Sequence, residues 1–405
     1  MRTKAKHLAK LVLINLLTLI FFLEIGSYGL TQLKLLPIND TPSLYRSGIL
    51  SLFTTKTSID DTDTKWWTEK SSWGAWHKPN AISRHVKSCF NVLYQSNSVG
   101  ARDSEFRNLK TDNRVLLLGD SVVESIGVSE NHKLDVVLER KTSTDVMNFG
   151  SAGDLGPVQY FALYKDLARR YQHKTLVILF LPSNDFLDND YLFWKTSGKT
   201  FYAGTTSQRY RPYFQETSKT DFGSFIPQDA VPRENWRYPT KLGELGPLDS
   251  TKIRAFKFIE DSLWVSNLLK SIRLKSNVNQ LWSSNYREYS GYFDAELQQQ
   301  KAAVFYIESI LRISKAENFL IVSVPRESDL KRINSGSKLS DQYWYQAFKQ
   351  FSQHPQKRVD FIDLAEIKHP SHPITHECDG HWNENGIEWA ANIIAKRLRT
   401  NRYLE

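Results

Sequence analysis

Two short polar motifs in the 405-residue sequence contain the residue types that acyl-transfer chemistry requires. The tripeptide GDS ends in Ser121, a hydroxyl nucleophile, and the tripeptide DGH places Asp379 two residues before His381. In such a set the imidazole takes the serine proton, while the carboxylate fixes the imidazole tautomer and supports the imidazolium. Alone, GDS is a weak signal, because a serine that follows a strand is often just a helix N-cap. Together the two motifs predict a catalytic set of Ser121, Asp379 and His381.

Two further motifs offer hydrogen-bond donors for an oxyanion. The sequence NFGSAG ends in Gly153, and the sequence PSND contains Asn184. The backbone N–H groups of Ser121 and Gly153 and the side-chain amide of Asn184 are therefore predicted to form an oxyanion hole. Each motif also has a structural interpretation, since an Asn-Gly turn is common and an Asn-Asp pair can cap a helix.

Short apolar runs that alternate with segments of helical periodicity position these motifs. Strands are predicted at 114–119, 145–149, 175–181, 318–324 and 358–364, and helices near 133–142, 156–171, 251–276, 295–316, 338–353 and 384–399. This alternation favours an α/β fold of three α/β/α layers, with a doubly wound, mainly parallel five-stranded sheet. The four motifs follow strands one, two, three and five, so all are expected at the carboxyl edge of the sheet.

The first 31 residues are predicted to form a membrane anchor. Leu11 to Leu23 is almost continuously apolar, and the pattern continues to Leu30 with Glu24 interrupting it. A helix of about 20 residues crosses a bilayer. The cations before this run place the N-terminus in the cytoplasm and the bulk of the chain outside: Arg2, Lys4, Lys6 and Lys10. The alternatives are a cleaved signal peptide and a buried core helix.

The sequence divides into three parts: the basic cytoplasmic flank and anchor at 1–31, a stalk and N-terminal extension at 32–110, and a catalytic domain at 111–405. Residues 31–63 are polar and predict the stalk, and an insertion interrupts the catalytic domain at about 186–295. The formal charge is +9, but four of these charges precede residue 11 and the rest are spread thinly. Without a basic run, nucleic-acid binding is not predicted.

Aromatic residues are concentrated in two segments. Four tryptophans within eleven positions could bind sugar faces, rest on a membrane interface or cap the domain core: Trp66, Trp67, Trp73 and Trp76. In the insertion, aromatic faces that stack on sugars and arginines that pair with acidic groups predict a substrate wall. Its members are Tyr191, Trp194, Tyr202, Arg209, Tyr210, Arg211 and Tyr213. Alternatively, these residues pack the insertion onto the main domain.

The two cysteines, Cys89 and Cys378, could form a disulfide outside the cytoplasm, or could be unpaired buried residues. A zinc site is a further alternative for the loop around Asp379, which holds Cys378, His369, His372, His376 and His381. No HExxH or paired CxxC motif fixes a ligand geometry there, so neither a metal nor another cofactor is predicted.

The motifs resemble those of the SGNH (GDSL-like) hydrolase superfamily, across roughly 111–188 and 318–400. Ser121 matches the family nucleophile, Gly153 and Asn184 match the second- and third-block residues, and Asp379 and His381 match the last-block pair. The NSVGARD segment that begins at Asn97 and the DGHWNENG segment are similar to bacterial membrane-anchored members associated with cell-surface polysaccharides. Two departures occur: Pro182 replaces the glycine of GxND, and DxxH is shortened to DxH.

The resemblance implies a flavodoxin-like sheet and a serine esterase or O-acyltransferase, with acetyl as the expected acyl group. The substrate would be a cell-surface glycan or an acylated small molecule, and the catalytic domain would lie in the periplasm or at the cell surface. The shortened DxH occurs in acyltransferase-like relatives, so the sequence does not separate hydrolysis from transfer. The alternative is a catalytically inactive module that binds glycan or scaffolds envelope assembly. The oligomeric state is not predicted.

Overall fold

The computed structural model describes residues 2–33, 35, 66–70, 73–87, 89–106, 113–152, 155–190, 263–266, 268, 289–377 and 379–404. Its first element is helix α1, Arg2–Gln32. Within it, Lys10–Gln32 is 23 residues long and apolar enough to cross a membrane, and a signal sequence would have the same properties. The predicted helix at 11–31 is therefore confirmed as a helix, whereas its role as an anchor stays a prediction.

Two antiparallel hairpins follow the N-terminal helix. Strands β1 (Trp67–Lys70) and β2 (Gly74–His77) form the first hairpin, and β3 (Ile82–Lys87) and β4 (Phe90–Gln95) form the second. Trp66, Trp73 and Trp76 are buried, so these tryptophans belong to the core of the protein and are not a sugar-binding surface. The sequence did not predict these strands, because their short runs mix aromatic and charged residues without a clear period.

The central sheet has five parallel strands. They are β5 (Val115–Gly119), β6 (Val146–Gly150), β7 (Thr175–Phe180), β8 (Asn318–Ser323) and β9 (Arg358–Asp363), in the spatial order β6-β5-β7-β8-β9. All four pairings are parallel. This confirms the predicted α/β fold and its doubly wound sheet, whose order is that of flavodoxin-like folds.

Helices cover both faces of the sheet. They are α2 (Ser121–Glu124), α3 (Leu134–Thr142), α4 (Pro157–Asp166), α5 (Pro182–Asp188), α6 (Gly291–Asp294), α7 (Leu297–Ile313), α8 (Glu327–Asn334), α9 (Tyr343–Gln350) and α10 (Glu384–Thr400). The segments predicted as helices at 156–171 and 338–353 contain shorter α-helices flanked by 3₁₀ turns. Most of the helix predicted at 251–276 lies outside the described residues.

Side chains that alternate along the strands separate two cores. Leu116, Leu118 and Ile178 pack on one face, with α4, α7 and α9. Leu117 and Val177 pack on the other face, with α3 and α10. Because every residue of β5 is buried, a charged substitution on either side of this strand would leave a buried charge without compensation. The two cores hold the carboxyl ends of the strands in register, and the predicted motifs lie at those ends.

The C-terminal part of α1 contacts the described part of the insertion. Glu24, which interrupts the apolar run, accepts hydrogen bonds from the backbone N–H groups of Trp264 (2.7 Å) and Val265 (2.9 Å). Ser27 and Thr31, on the same side of the helix, are also buried. Glu24, Ser27 and Thr31 are thus covered by protein, while many large apolar side chains of α1 are exposed.

Candidate active site

Ser121 and His381 meet at the carboxyl edge of the sheet, although 260 positions separate them in the chain. His381 Nε2 lies 2.9 Å from Ser121 Oγ, and His381 Nδ1 forms a short hydrogen bond with Asp379 Oδ1. The Asp379 side chain is 3% exposed, whereas that of His381 is 23% exposed. A hydroxyl, an imidazole and a carboxylate are therefore joined by hydrogen bonds, with the imidazole reachable from solvent, as a nucleophile, its base and an orienting group would require.

The loop that holds His381 is a tight turn braced by its own backbone. Gly380 has φ +80°, a conformation that favours glycine, and it turns the chain so that Asp379 reaches the ring of His381. His376 N donates to His381 O at 2.8 Å, and the neighbouring Trp382 is buried in the core. Asn383 then caps α10 by accepting from the backbone N–H of Gly386 at 3.0 Å. The shortened DxH spacing is thus compatible with an Asp–His pair in this turn.

Lys87, in the N-terminal extension, is a site residue that the sequence analysis missed. It ends β3, and its ammonium group forms a short ion pair with Asp379 Oδ2, the oxygen that does not face His381. Burial works to raise the pKa of Asp379, but the hydrogen bond and charge of His381, together with Lys87, hold it well below its usual range. The carboxylate is therefore ionised and fixed from both sides.

The two cysteines of the chain are the sequence neighbours of the Lys87–Asp379 ion pair. Cys89, two residues after Lys87, is disulfide-bonded. Cys378 precedes Asp379 and lies outside the described residues, so the pairing of the two cysteines stays a prediction. The predicted disulfide could have indicated that Lys87 lies near the site. A bridge from Cys89 to Cys378 requires the β3–β4 turn to lie beside Asp379.

The turn that presents Ser121 packs directly against the end of β6, where only a glycine fits. A Cβ at Gly150, at the end of β6, would lie 2.3 Å from the backbone N of Glu124, in the first turn after Ser121. The buried guanidinium of Arg102 donates to the carbonyls of Glu124 (2.9 Å), Ser125 (2.8 Å) and Val128 (2.6 Å). Arg102 belongs to the NSVGARD segment, which therefore braces the nucleophile loop.

Glu124 adds a buried charge behind the nucleophile. Its Oε1 lies 3.2 Å from His77 Nε2, and its Oε2 accepts a short hydrogen bond from the backbone N–H of Ala152. Burial works to raise the pKa of Glu124, but His77 and Arg102 hold it below its usual range. The segment that leads to Gly153 is thus fixed to α2 just before the described residues stop.

Asn184 is joined to the nucleophile turn through Asp120. Its Nδ2 donates to Asp120 Oδ2 at 2.8 Å, and Asp120 Oδ1 accepts from the backbone N–H of Val122 at 2.9 Å. One N–H of the Asn184 amide is used in this bond, which leaves its second N–H as a donor. Burial raises the pKa of Asp120, while its bonds to Val122 and Asn184 work against that rise.

The helix that carries Asn184 explains why proline is accepted in place of the glycine of the GxND motif. Pro182 is the first residue of α5, where the missing N–H costs nothing and the fixed φ suits a helix. Asp185 Oδ2 accepts from Leu181 N at 2.8 Å, and the hydroxyl of Tyr160 donates to Asp185 Oδ1 at 2.8 Å. Burial and the nearby Asp120 charge raise the pKa of Asp185 well above its usual range.

Several predicted site residues lie outside the described residues. Gly153 is one of them, so its place in an oxyanion hole stays a prediction. The predicted substrate wall is another, with Tyr191, Trp194, Tyr202, Arg209, Tyr210, Arg211 and Tyr213. Its members also stay a prediction.

The histidines near the catalytic loop make separate contacts. His376 packs against Phe90, with ring centroids 4.9 Å apart, and His369 against Trp389 at 4.7 Å. Within the described ranges, no group of three or more His, Cys, Asp or Glu side chains is placed to hold a metal ion.

Arg326 is a second site residue that the sequence analysis missed. It follows β8 and precedes α8, and its Nε donates to Ser183 Oγ at 3.1 Å. Its position could have indicated it, because the loop after strand four lies at the same edge of the sheet as the four loops that carry the motifs. Arg326 is the charged residue of that loop nearest the end of the strand.

Removing the Asn184 amide tests its predicted role as an oxyanion donor. Asn184→Ala is expected to lower kcat about 10²- to 10³-fold with little change in KM, because the donor acts mainly on charge that develops in the transition state. Steady-state kinetics with a nitrophenyl ester measure both constants. Asn401→Ala is the matched control. The Asn401 amide lies at the end of α10, where it donates to Asp360 of β9. Equal losses in the two variants would contradict the role of Asn184.

Comparisons with known proteins add little to this geometry. No protein-family model matches the chain, and no curated protein is significantly similar to it in sequence. One similar solved structure is assigned to the G-D-S-L family of lipolytic proteins, from Desulfitobacterium hafniense, with 8% identity, a TM-score of 0.30 and coverage of 70% of this chain and 98% of that one. Another is the acetyl xylan esterase Est2A of Butyrivibrio proteoclasticus, with 11% identity, a TM-score of 0.35 and coverage of 82% and 74%. At these TM-scores, neither bears on the chemistry of this chain.

Proposed function

We propose that this chain is a serine-dependent esterase or O-acyltransferase that forms an acyl-enzyme at Ser121. The observation that carries this proposal is the hydrogen-bonded series from Asp379 through His381 to Ser121, with 2.9 Å between His381 Nε2 and Ser121 Oγ. A serine that merely caps a helix needs no imidazole on its hydroxyl, nor a buried carboxylate behind that imidazole. The arrangement is the one that activates a hydroxyl for attack on an ester carbonyl.

In the first half of the reaction, Ser121 Oγ attacks the carbonyl carbon while His381 Nε2 takes the hydroxyl proton. Asp379 stabilises the imidazolium that forms, and the negative charge moves to the carbonyl oxygen, where backbone N–H groups and the free N–H of Asn184 bind it. The tetrahedral intermediate then breaks its bond to the alcohol oxygen. His381 returns the proton to that oxygen, and the acyl group remains on Ser121.

In the second half, an acceptor hydroxyl attacks the acyl-enzyme with His381 again as the base. If the acceptor is water, the products are a carboxylic acid and free Ser121. If it is a sugar hydroxyl, the acyl group is transferred and a new ester forms. Both routes use the same residues, so the choice depends on which acceptor reaches the acyl-enzyme.

We propose a cell-surface glycan as the polymeric substrate and acetyl as the acyl group. The support is the resemblance of the NSVGARD and DGHWNENG segments to membrane-anchored proteins associated with surface polysaccharides. Both segments bear on the site, since Arg102 of the first braces the nucleophile loop and His381 belongs to the second.

The proposal is tested with the detergent-solubilised full chain. Nitrophenyl acetate and acetylated glycan oligosaccharides serve as acyl donors, and unacetylated oligosaccharides serve as acceptors. Release of acetate identifies a hydrolase, and acetylated oligosaccharide in the presence of the nitrophenyl donor identifies a transferase. A folded chain that neither releases nor transfers acetate, but binds the oligosaccharides, would contradict the enzymatic proposal and favour the inactive module.

The topology of the chain is tested separately. The full-length protein is expected in the membrane fraction after alkaline extraction, and protease outside right-side-out vesicles should release a soluble fragment by cutting within 31–63. Inside-out vesicles are the control, in which the same protease should leave the catalytic domain intact. N-terminal sequencing separates the alternatives, because a cleaved signal peptide would remove Met1 and most of α1. Recovery of the full-length chain without detergent would contradict the anchor.

A further inference from the structure

We propose that Arg326 binds an anionic group of the substrate, a carboxylate or phosphate with paired oxygens, beside the ester that Ser121 attacks. This inference rests on the proposed function, since it assigns the chemical class of substrate for the same site.

The guanidinium of Arg326 lies between the two halves of the catalytic set. Its Nε donates to the hydroxyl of Ser183, which donates in turn to Asn184 Oδ1 at 3.1 Å. On the other side, Arg326 Nη1 lies 3.8 Å from the Cβ position that a side chain at Gly380 would occupy, between Asp379 and His381. A group bound to this guanidinium would therefore be next to both the Asn184 amide and the His381 loop.

The positive charge of Arg326 affects the carboxylate of Asp120, in the turn before Ser121. Burial raises the pKa of Asp120, and the positive charge of Arg326 is one of the influences that work against that rise. Asp120 directly precedes Ser121, so the guanidinium acts on the residue next to the serine hydroxyl.

The charge of Arg326 acts on two nearby carboxylates, Asp120 and Asp329, without a direct ion pair to either. Among the residues that the structure describes, Arg326 forms no ion pair with an acidic side chain, in contrast to Arg332 of the same segment, which pairs with Asp294 at 2.9 Å. The carboxylate of Asp329 is close in sequence, but it accepts from the backbone N of Arg326 (2.7 Å) and from Ser290 and Tyr292. Of its terminal nitrogens, Nη1 lies beside Gly380, between Asp379 and His381.

The chemistry of the side chain selects the ligand. Because Nε is held by Ser183, Nη1 and Nη2 remain as two parallel donors, the geometry that matches two oxygens of a carboxylate or phosphate. A neutral sugar hydroxyl could accept one such bond but would leave the charge without a partner. The structure therefore favours an acidic substrate over a neutral one of the same shape.

The test compares matched substrates on the full chain. An O-acetylated oligouronide and its carboxyl-reduced counterpart differ only in carrying a carboxylate or a neutral hydroxymethyl group, and an O-acetylated sugar phosphate and its dephosphorylated form provide the phosphate arm. In the wild type, kcat/KM should be higher for the charged member of at least one pair. Arg326→Gln should lower kcat/KM for that member about 10- to 100-fold. Turnover of nitrophenyl acetate, which carries no anionic group, should fall by a clearly smaller factor than turnover of the charged substrate.

Two further variants keep the test interpretable. Arg326→Lys retains the charge without the paired donors and should lose part of the preference. Arg312→Gln removes the same charge from an exposed position at the other edge of the sheet and should have no effect. Binding of the oligouronide by titration calorimetry in a Ser121→Ala background tests Arg326 without turnover.

The outcomes separate the two proposals. Equal losses with charged and neutral substrates, or unchanged calorimetric binding in Arg326→Gln, would overturn the role of Arg326 while leaving the esterase or transferase proposal intact. Wild-type protein that binds the oligouronide through Arg326 but turns over no ester would support the anion site and contradict the proposed catalysis.

Discussion

Replacing Ser121 with alanine is expected to lower kcat for nitrophenyl acetate by about 10⁴- to 10⁶-fold, because the proposed acyl-enzyme forms on the hydroxyl that this change removes. The change removes one hydroxyl and its bond to His381, so the cost in stability should be about 1 kcal/mol. Steady-state kinetics measure the loss, and the melting temperature and near-UV circular dichroism show whether the fold is retained.

Ser335→Ala is the control for this substitution, because that serine is exposed at the end of α8. It should have wild-type kinetics. A Ser121→Ala variant that is folded but keeps more than about a tenth of the activity would assign the chemistry to a different nucleophile.

Asp379→Asn is expected to lower kcat about 10⁴-fold while leaving the loop geometry largely intact. The amide cannot support the imidazolium, and it can fix the wrong tautomer of His381. Lys87 would also lose its partner, since its ion pair is with the second oxygen of this carboxylate. Asp360→Asn is the matched control, because Asp360 pairs with Arg397 on α10, away from the site.

The same variant has a testable dependence on pH. His381 and Lys87 hold the pKa of Asp379 below its usual value, so the ionised carboxylate stabilises the folded state. This stabilisation is complete above the pKa of the unfolded chain, about 4, and is lost as the pH falls below that value. The melting-temperature difference between wild type and Asp379→Asn should therefore be largest near neutral pH and shrink below about pH 4. A difference that grows as the pH falls would contradict the depressed pKa.

The sheet could be predicted from sequence because its strands are buried on both faces. Near-continuous apolar runs such as Val115–Gly119 and Thr175–Phe180 have no other common explanation when helices separate them. The hairpins at 67–95 carry no such signal, because Ile82–Lys87 has only two apolar residues among four polar or charged ones. The burial of the tryptophans around these hairpins is a tertiary outcome that local pattern could not decide.

The site was predictable to the extent that its residues lie in motifs after strands. Ser121, Asn184, Asp379 and His381 were placed at one edge by that rule, and the structure brings them together. This rule did not identify Lys87 and Arg102, because they lie in the N-terminal extension. A single sequence does not show where such an extension packs on the domain. Arg326 escaped for a different reason, since the rule applied to its loop but no motif drew attention to it.

The central claim is that Ser121 is a nucleophile activated by His381, and covalent labelling tests it most directly. The detergent-solubilised full chain is treated with a fluorophosphonate, and the modified peptide is identified by mass spectrometry, with Ser121→Ala and His381→Ala as parallel samples. A single adduct on Ser121 is expected in the wild type, none in Ser121→Ala, and labelling slowed at least about 10³-fold in His381→Ala. A folded wild-type protein that acquires no adduct at Ser121, or acquires it equally fast without His381, would contradict the account.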